Sequence, residues 1–236
     1  MLKTLKNYHI IIYPVILYWC ICLLMYLKFP HTLYLMLGWN VLLAALPLFF
    51  IGISIYFYNR KMKLCAALFS LSWLLFFPNS IYIITDFIHI SNDSLVWIEK
   101  AGELSEKGRT VYNTDIFAWF KMFTIGIGCI YGVILGLESL RLFLNMTASF
   151  TSHFISWICI AAVSILSGFG VYLGRFLRFN SWDILQPISL IKGILAEMDI
   201  FVLQFTLCFA AVILLLFFFY LTIVRLIRSE LKIQHS

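Results

Sequence analysis

The chain has 236 residues, of which 63% are hydrophobic and only 12% are charged, and its formal net charge is +6. Soluble domains average about 45–50% apolar and about 25% charged residues, so this composition excludes a soluble globular protein. The Lys and Arg residues lie mostly at the ends of apolar runs, which indicates membrane orientation rather than a nucleic-acid-binding surface.

Six apolar segments follow one another along the chain, and we predict that each spans a membrane as a helix. A helix needs about 20 apolar residues to cross a hydrocarbon core of about 30 Å. Only helices or closed barrels satisfy their backbone hydrogen bonds in lipid, and these runs are too long and continuous for barrel strands. The predicted fold is an all-α polytopic membrane helix bundle forming a single integral membrane domain, residues 1–236, with spans at about 9–28, 33–57, 64–90, 115–140, 153–174 and 199–224.

The distribution of Lys and Arg sets the expected orientation. An even number of spans puts both termini on one side, and that side carries tight basic clusters at Arg60, Lys61 and Lys63 and near the C-terminus. The other side has nearly as many basic residues, but several lie in a loop that also holds acidic residues. Because Lys and Arg are enriched in cytoplasmic loops, we predict a multi-pass protein of the cell membrane with both termini in the cytoplasm.

The third span ends in a polar stretch, FFPNSIYIITDFIHI, at residues 76–90. Proline lacks an amide donor and disfavours helical geometry at the preceding residue. We therefore predict that the span is broken at Pro78-Asn79 and restarts as a short helix. At about 100° per residue, the polar side chains of that helix share one arc of about 120°: Asn79, Tyr82, Thr85, Asp86 and His89. Ionisable residues at membrane depth usually mark a functional site or a buried pair, and the alternative is a polar face that simply meets water and headgroups.

A second polar stretch, GVYLGRFLRFNSWDIL, at residues 170–185, closes the fifth span. Its arginines, Arg175 and Arg178, lie beside Gly170 and Gly174. An arginine at a span end can snorkel to the interface, or it can hold a carboxylate or an anionic headgroup in a bidentate manner. The ends of spans three and five lie on the same membrane face, and span four begins there.

We therefore predict that one polar site forms from both stretches. Asp86 and His89 are its candidate catalytic residues, and the candidate ligand-binding residues are Asn79, Tyr82, Thr85, Asp115, Arg175, Arg178, Asn180, Trp182 and Asp183. A catalytic zinc takes about three protein ligands, and the Asp–His pair supplies two. We assign no metal and no cofactor to the site.

The two polar stretches resemble the bacterial membrane-protein family known as domain of unknown function 1361. The family pattern PN-x-x-Y-x-x-T-D-x-x-H matches Pro78 to His89, and the pattern Y-x-G-R-x-x-R-x-N-S-W-D matches Tyr172 to Asp183. The chain departs from the family at Ile81, where relatives often carry proline. The resemblance covers spans two to six and implies a multi-span bacterial membrane protein, but it implies no activity.

Three functions are compatible with the sequence, which leaves open whether the protein is an enzyme. The first is binding or processing of an anionic lipid or envelope precursor at the extracytoplasmic interface, with acid–base chemistry by Asp86 and His89. The second is a structural or partner-binding membrane module whose polar cluster locks the helices together. The third is a small transporter, which would need a polar site near the bilayer midplane. The expected partner is the lipid bilayer, and no nucleic acid is expected.

Overall fold

The computed structural model describes residues 8–90, 95–99, 109–179 and 199–233, which form a bundle of six α-helices with two short strands. The helices are α1 (Ile12–Lys28), α2 (Thr32–Asn59), α3 (Lys63–Tyr82), α4 (Ile116–Thr147), α5 (His153–Arg175) and α6 (Ile200–Ile233). A 3-10 turn, Tyr8–Ile11, precedes α1, and a second 3-10 helix, Ile83–Ile90, continues α3. The predicted all-α fold, with a helix at each of the six apolar segments, is confirmed.

The helices have the length and surface that a bilayer requires. Within the described residues, five helical segments are long and apolar enough to cross a membrane: α2, α3 with its 3-10 extension, α4, α5 and α6. The first helix is shorter, with 17 residues, or about 26 Å at the α-helical rise. Large apolar side chains cover the outside of the bundle, and Leu17, Phe123 and Phe218 are each more than half exposed.

Helix α2 supplies much of the core because it buries one face that is predominantly apolar. It packs against α1, α3 and α4. Its buried apolar side chains alternate in spacings of four and three residues, which keeps them on one face of a helix: Leu37, Val41, Ala44, Leu48, Ile51 and Ile55. That face carries a single amide side chain, Asn40, which is also buried.

Small residues bring the helices close together, as their spacing in the sequence indicates. A Cβ at Gly168 of α5 would overlap the backbone carbonyl oxygen of Thr206, so α5 and α6 touch through their backbones. The glycine row of α4 faces four segments, with Gly128 against α1, Gly132 against α2 and the 3-10 helix, and Gly136 against α3.

The predicted break at Pro78-Asn79 is wrong, because α3 continues as an α-helix through Pro78 to Tyr82. The proline ring lies against Gly170 of α5, where a Cβ would come within 2.8 Å of the ring. The Asn79 side chain donates a hydrogen bond of 3.1 Å to the carbonyl of Phe76. Proline is tolerated in membrane helices where neighbouring helices and side chains accommodate it. The change of helix type comes only after Tyr82, where the 3-10 helix begins.

Two short strands, which the apolar pattern does not predict, lie between α3 and α4. They are β1 (Val96–Glu99) and β2 (Arg109–Tyr112), and they pair antiparallel with Val96 opposite Tyr112. The strands lie on the same side of the bundle as the end of the 3-10 helix and the start of α4, because they connect these two elements.

Candidate functional site

The 3-10 helix Ile83–Ile90 positions the ionisable residues of the first polar stretch. It is eight residues long, whereas 3-10 runs longer than about 3–4 residues are uncommon and often mark a hinge or a strained sequence. Thr85 Oγ1 donates a hydrogen bond of 2.6 Å to the carbonyl of Tyr82, where the helix type changes. Residues three apart eclipse each other in a 3-10 helix. Asp86 and His89 therefore lie in one row along it.

Asp86 is the buried centre of the site, with only 1% of its surface exposed. Asn40 Nδ2 of α2 donates to one carboxylate oxygen at 2.7 Å, and Arg175 of α5 lies 3.4 Å from the other. A buried carboxylate requires such partners, because removing one partner of a buried ion pair costs about 3–5 kcal/mol. Asn40 lies about 12 Å along α2 from Thr32, so the carboxylate is held inside the bundle rather than at its rim.

Arg175, the last residue of α5, joins the two polar stretches. Its Nη2 donates to Thr85 Oγ1 as well as to Asp86. Its guanidinium carbon lies 4.8 Å from the centre of the Tyr82 ring, which is a cation–π contact. Gly174 leaves room for that ring, since a Cβ there would come within 3.3 Å of a ring carbon. The structure therefore brings the two stretches together at Asp86 and Arg175, as the sequence predicts, while the roles of these residues in binding and catalysis stay predictions.

Two buried nitrogen atoms of this cluster have no hydrogen-bond partner in the described part of the chain: Nε2 of His89 and Nε of Arg175. The large majority of buried polar side-chain atoms in proteins are hydrogen bonded, so each exception needs an explanation. Both side chains keep some exposure, which for Arg175 is 20%. An acceptor group that reaches the cluster would satisfy the Nε–H of Arg175 and a protonated Nε2 of His89.

The other predicted ligand residues lie farther from this centre or outside the described residues. Asp115 is the exposed N-cap of α4 and accepts a hydrogen bond of 3.0 Å from the Phe117 amide. Arg178 is exposed and has a left-handed φ of 58°. In the part of the chain that the structure describes, neither residue forms a hydrogen bond or an ion pair with Asp86 or Arg175. The remaining predicted ligand residues, Asn180, Trp182 and Asp183, lie outside the described residues.

Asn40, whose amide donates to Asp86 at 2.7 Å, is a site residue that the sequence reasoning did not identify. Its signal in the sequence is a single amide within the apolar run LGWNVLL of α2. Polar side chains are rare within membrane spans and mostly face the bundle interior, so this asparagine could have been assigned to an internal contact. Its partner could not have been identified from the sequence, because the rest of α2 and all of α3 separate Asn40 from Asp86 along the chain.

The cluster does not contain a full set of metal ligands. Among the described residues, no group of three or more His, Cys, Asp and Glu side chains is placed to hold one ion. Asp86 and His89 provide two ligands, and both oxygens of the carboxylate already accept hydrogen bonds from Asn40 and Arg175.

Fold and site together define a multi-span helical membrane protein with a buried carboxylate–arginine cluster toward one end of its helices. The family model DUF1361, described as a protein of unknown function, matches residues 39–218. That match covers most of the chain and includes both motifs, and the chain therefore belongs to this family. No curated protein and no solved structure matches the chain.

Proposed function

We propose that this protein binds the anionic headgroup of a membrane lipid or of a lipid-linked envelope precursor at the extracytoplasmic face of the cell membrane. The observation that carries the proposal is a pair of buried nitrogens, Arg175 Nε and His89 Nε2, that have no hydrogen-bond partner among the described residues and lie beside a carboxylate that is already paired. The oxygens of an anionic headgroup would accept hydrogen bonds from both nitrogens. In this orientation, both termini lie in the cytoplasm.

The guanidinium of Arg175 has donors beyond the nitrogen that contacts the protein. Its Nη2 donates to Asp86 and Thr85, which holds the group in place beside the buried carboxylate. The Nε–H belongs to the rigid fork of five donors that suits the oxygens of a phosphate or carboxylate. Asp86 then acts as a positioning residue, since a carboxylate repels an anionic ligand. His89 remains the candidate for acid–base chemistry on a bound headgroup.

The charge of this membrane face supports an anionic ligand. Because successive helices alternate in direction, the end of α1, the start of α4 and the end of α5 lie on the same face as the cluster. Basic side chains on these segments include Lys28, Lys121, Arg175 and Arg178. Basic residues near the membrane surface attract anionic lipids by about 1 kcal/mol each. Such a surface would concentrate anionic headgroups where the cluster can reach them.

A structural role is the second candidate, and the burial of Asp86 favours it. The contacts of Asp86 join α2, the 3-10 helix and α5 in one place. A buried polar cluster can specify how helices pack without doing chemistry. By contrast, Asn40 lies about 12 Å into a helix of about 42 Å. The cluster is therefore displaced by about 9 Å from the middle of α2 toward one membrane face, whereas a transporter site would lie at the midplane.

Lipid retention by the purified protein tests the proposal. The protein in detergent micelles is incubated with phosphatidylglycerol or phosphatidylcholine, and the retained lipid is measured by native mass spectrometry. We expect the wild-type protein to retain the anionic lipid preferentially. Arg175→Gln should weaken this retention about tenfold or more, because a hydrogen bond to a charged group is worth about 1.5–3 kcal/mol. Equal retention of both lipids by the wild-type protein would contradict the proposal.

Two further variants separate ligand binding from a purely structural role. Arg175→Lys keeps a positive charge beside Asp86 but lacks the Nε donor, so it should retain most of the thermal stability and lose most of the lipid preference. Arg60→Gln is the matched control, because Arg60 is exposed beyond the other end of α2 and packs on Tyr56. If Arg175→Lys changes thermal stability but leaves lipid preference intact, the cluster is only a structural lock.

A further inference from the structure

A cavity of about 210 Å³ lies between the α1–α2 turn and the start of α4. Phe29 and Phe117 form its aromatic wall, with ring centres 4.7 Å apart in an edge-to-face arrangement. His31 and Lys121 supply its basic side chains. The cavity lies toward the membrane face that carries the Asp86 cluster, because α1 ends there and α2 and α4 begin there. Neither its basic residues nor its aromatic wall belongs to the predicted site.

The contacts of His31 fix which of its nitrogens can donate. Its Nδ1 accepts a hydrogen bond of 3.1 Å from the amide of Leu33 and so caps the start of α2. A neutral imidazole whose Nδ1 is an acceptor carries its proton on Nε2. In this contact, His31 therefore has an N–H donor at Nε2.

The lining of the cavity suits a small anionic group. Among the described residues, Lys121 is the charged side chain that lines it, and no carboxylate does so. A second ammonium group, Nζ of Lys28, lies 4.3 Å from the centre of the Phe117 ring. The cavity volume corresponds to about seven water molecules at about 30 Å³ each, which suits a polar headgroup and is less than a drug-sized ligand needs.

The 3-10 helix that carries Asp86 and His89 lies next to the elements that line the cavity. It packs against α2 and α4, and residues at or directly before the N-terminal ends of these two helices line the cavity: His31, Leu33, Phe117 and Lys121. Nε2 of His89 is one of the buried nitrogens without a partner in the described part of the chain. The helices that line the cavity therefore also contact the helix that carries the cluster.

We propose that the cavity binds the phosphate-bearing headgroup of the lipid that reaches Arg175, with Lys121 as counter-ion and His31 Nε2 as hydrogen-bond donor. This inference rests on the proposed function and specifies it, because it names phosphate as the anion and adds two residues that determine specificity. A phosphate group has several acceptor oxygens, so it can accept from donors on several sides at once. The ammonium group of a lysine is a common phosphate ligand in proteins.

Variants that keep the fold test the inference. His31→Asn removes the imidazole donor, while asparagine is among the best helix N-caps and should still accept from the Leu33 amide. Lys121→Gln removes the counter-ion, and Lys121→Arg restores it. Lys63→Gln, an exposed lysine at the start of α3 on the opposite membrane face, is the matched control. Thermal unfolding of each variant in detergent verifies that it is folded.

The binding measurement uses phosphatidylglycerol in detergent micelles, with inorganic phosphate as a separate arm. We expect Lys121→Gln and His31→Asn to weaken phosphatidylglycerol binding about tenfold and about threefold, respectively. Lys121→Arg and Lys63→Gln should bind within about twofold of the wild-type protein. If Arg175→Gln loses lipid binding while Lys121→Gln and His31→Asn retain it, the cavity is not the headgroup site, although the proposed function stands.

Two other outcomes are informative about the source of the phosphate. If the wild-type protein shows no preference for phosphatidylglycerol and no affinity for phosphate, both the cavity inference and the proposed function fail. If inorganic phosphate binds with the same dependence on Lys121 while the lipid does not bind, the phosphate chemistry is supported and a lipid headgroup as its source is overturned.

Discussion

Replacing Arg175 with methionine tests whether Asp86 is held by a true buried ion pair. Methionine keeps much of the volume of the arginine stem but leaves the carboxylate, among the described residues, with Asn40 as its remaining hydrogen-bond donor. Removing one partner of a buried ion pair costs about 3–5 kcal/mol. Because the Arg175 side chain is 20% exposed and the contact is 3.4 Å long, the lower end of that range applies, about 3 kcal/mol. For a chain of this size, each kcal/mol corresponds to about 2–4 °C, so the Tm should fall by about 6–12 °C.

The assay is thermal unfolding in detergent, monitored by tryptophan fluorescence. It forms a double-mutant cycle from Arg175→Met, Asp86→Asn and the variant that combines them. Asp86→Asn removes the charge but keeps an acceptor for Asn40, so combining it with Arg175→Met should recover much of the stability that Arg175→Met loses alone. The exposed Arg60 provides a control, since Arg60→Met should unfold within about 2 °C of the wild-type protein. If Arg175→Met were equally stable, or if the two changes were simply additive, the ion pair would not hold the site together.

Three further predictions test other contacts by the same unfolding assay. Gly168→Ala should destabilise by about 1–3 kcal/mol through overpacking against the backbone of α6. A Cβ at Gly126 would meet open space, so Gly126→Ala should gain up to about 1 kcal/mol in helix propensity. Equal changes in stability for these two variants would contradict the close packing of α5 against α6. Lys61, just after the end of α2, has a left-handed φ of 61°. Lys61→Val should therefore cost about 1–3 kcal/mol of stability, and Lys61→Gly should be tolerated. A valine variant as stable as the wild-type protein would contradict the left-handed backbone at this position. Tyr220→Phe should cost about 1–2 kcal/mol because its hydroxyl donates to Glu138 at 2.8 Å, and an unchanged Tm would count against that contact.

The fold could be predicted because the length of each apolar run determines that it forms a helix in lipid. The meeting of Asp86 and Arg175 could also be predicted, since counting the spans puts the ends of α3 and α5 on one membrane face. The course of the chain at Pro78 could not be predicted, because it depends on the space that Gly170 leaves on a different helix. Asn40 is missed for the same reason, since its role follows from tertiary packing.

The grouping of the cavity residues could not be predicted from the sequence. A histidine or lysine near the end of a span needs no more than an interfacial position to explain it. His31 and Lys121 line one cavity because the α1–α2 turn packs against the start of α4, where the Phe29 and Phe117 rings meet. No spacing rule connects these two segments, which lie far apart along the chain.

The most direct test of the anion site is an experimental structure of the protein in lipid nanodiscs that contain phosphatidylglycerol. Our account predicts phosphate density within hydrogen-bonding distance of Arg175 Nε, with the headgroup in the cavity that His31 and Lys121 line. It would be contradicted by a well-resolved structure in which Arg175 contacts only Asp86, Thr85 and Tyr82 and the lipid phosphates lie outside the cavity.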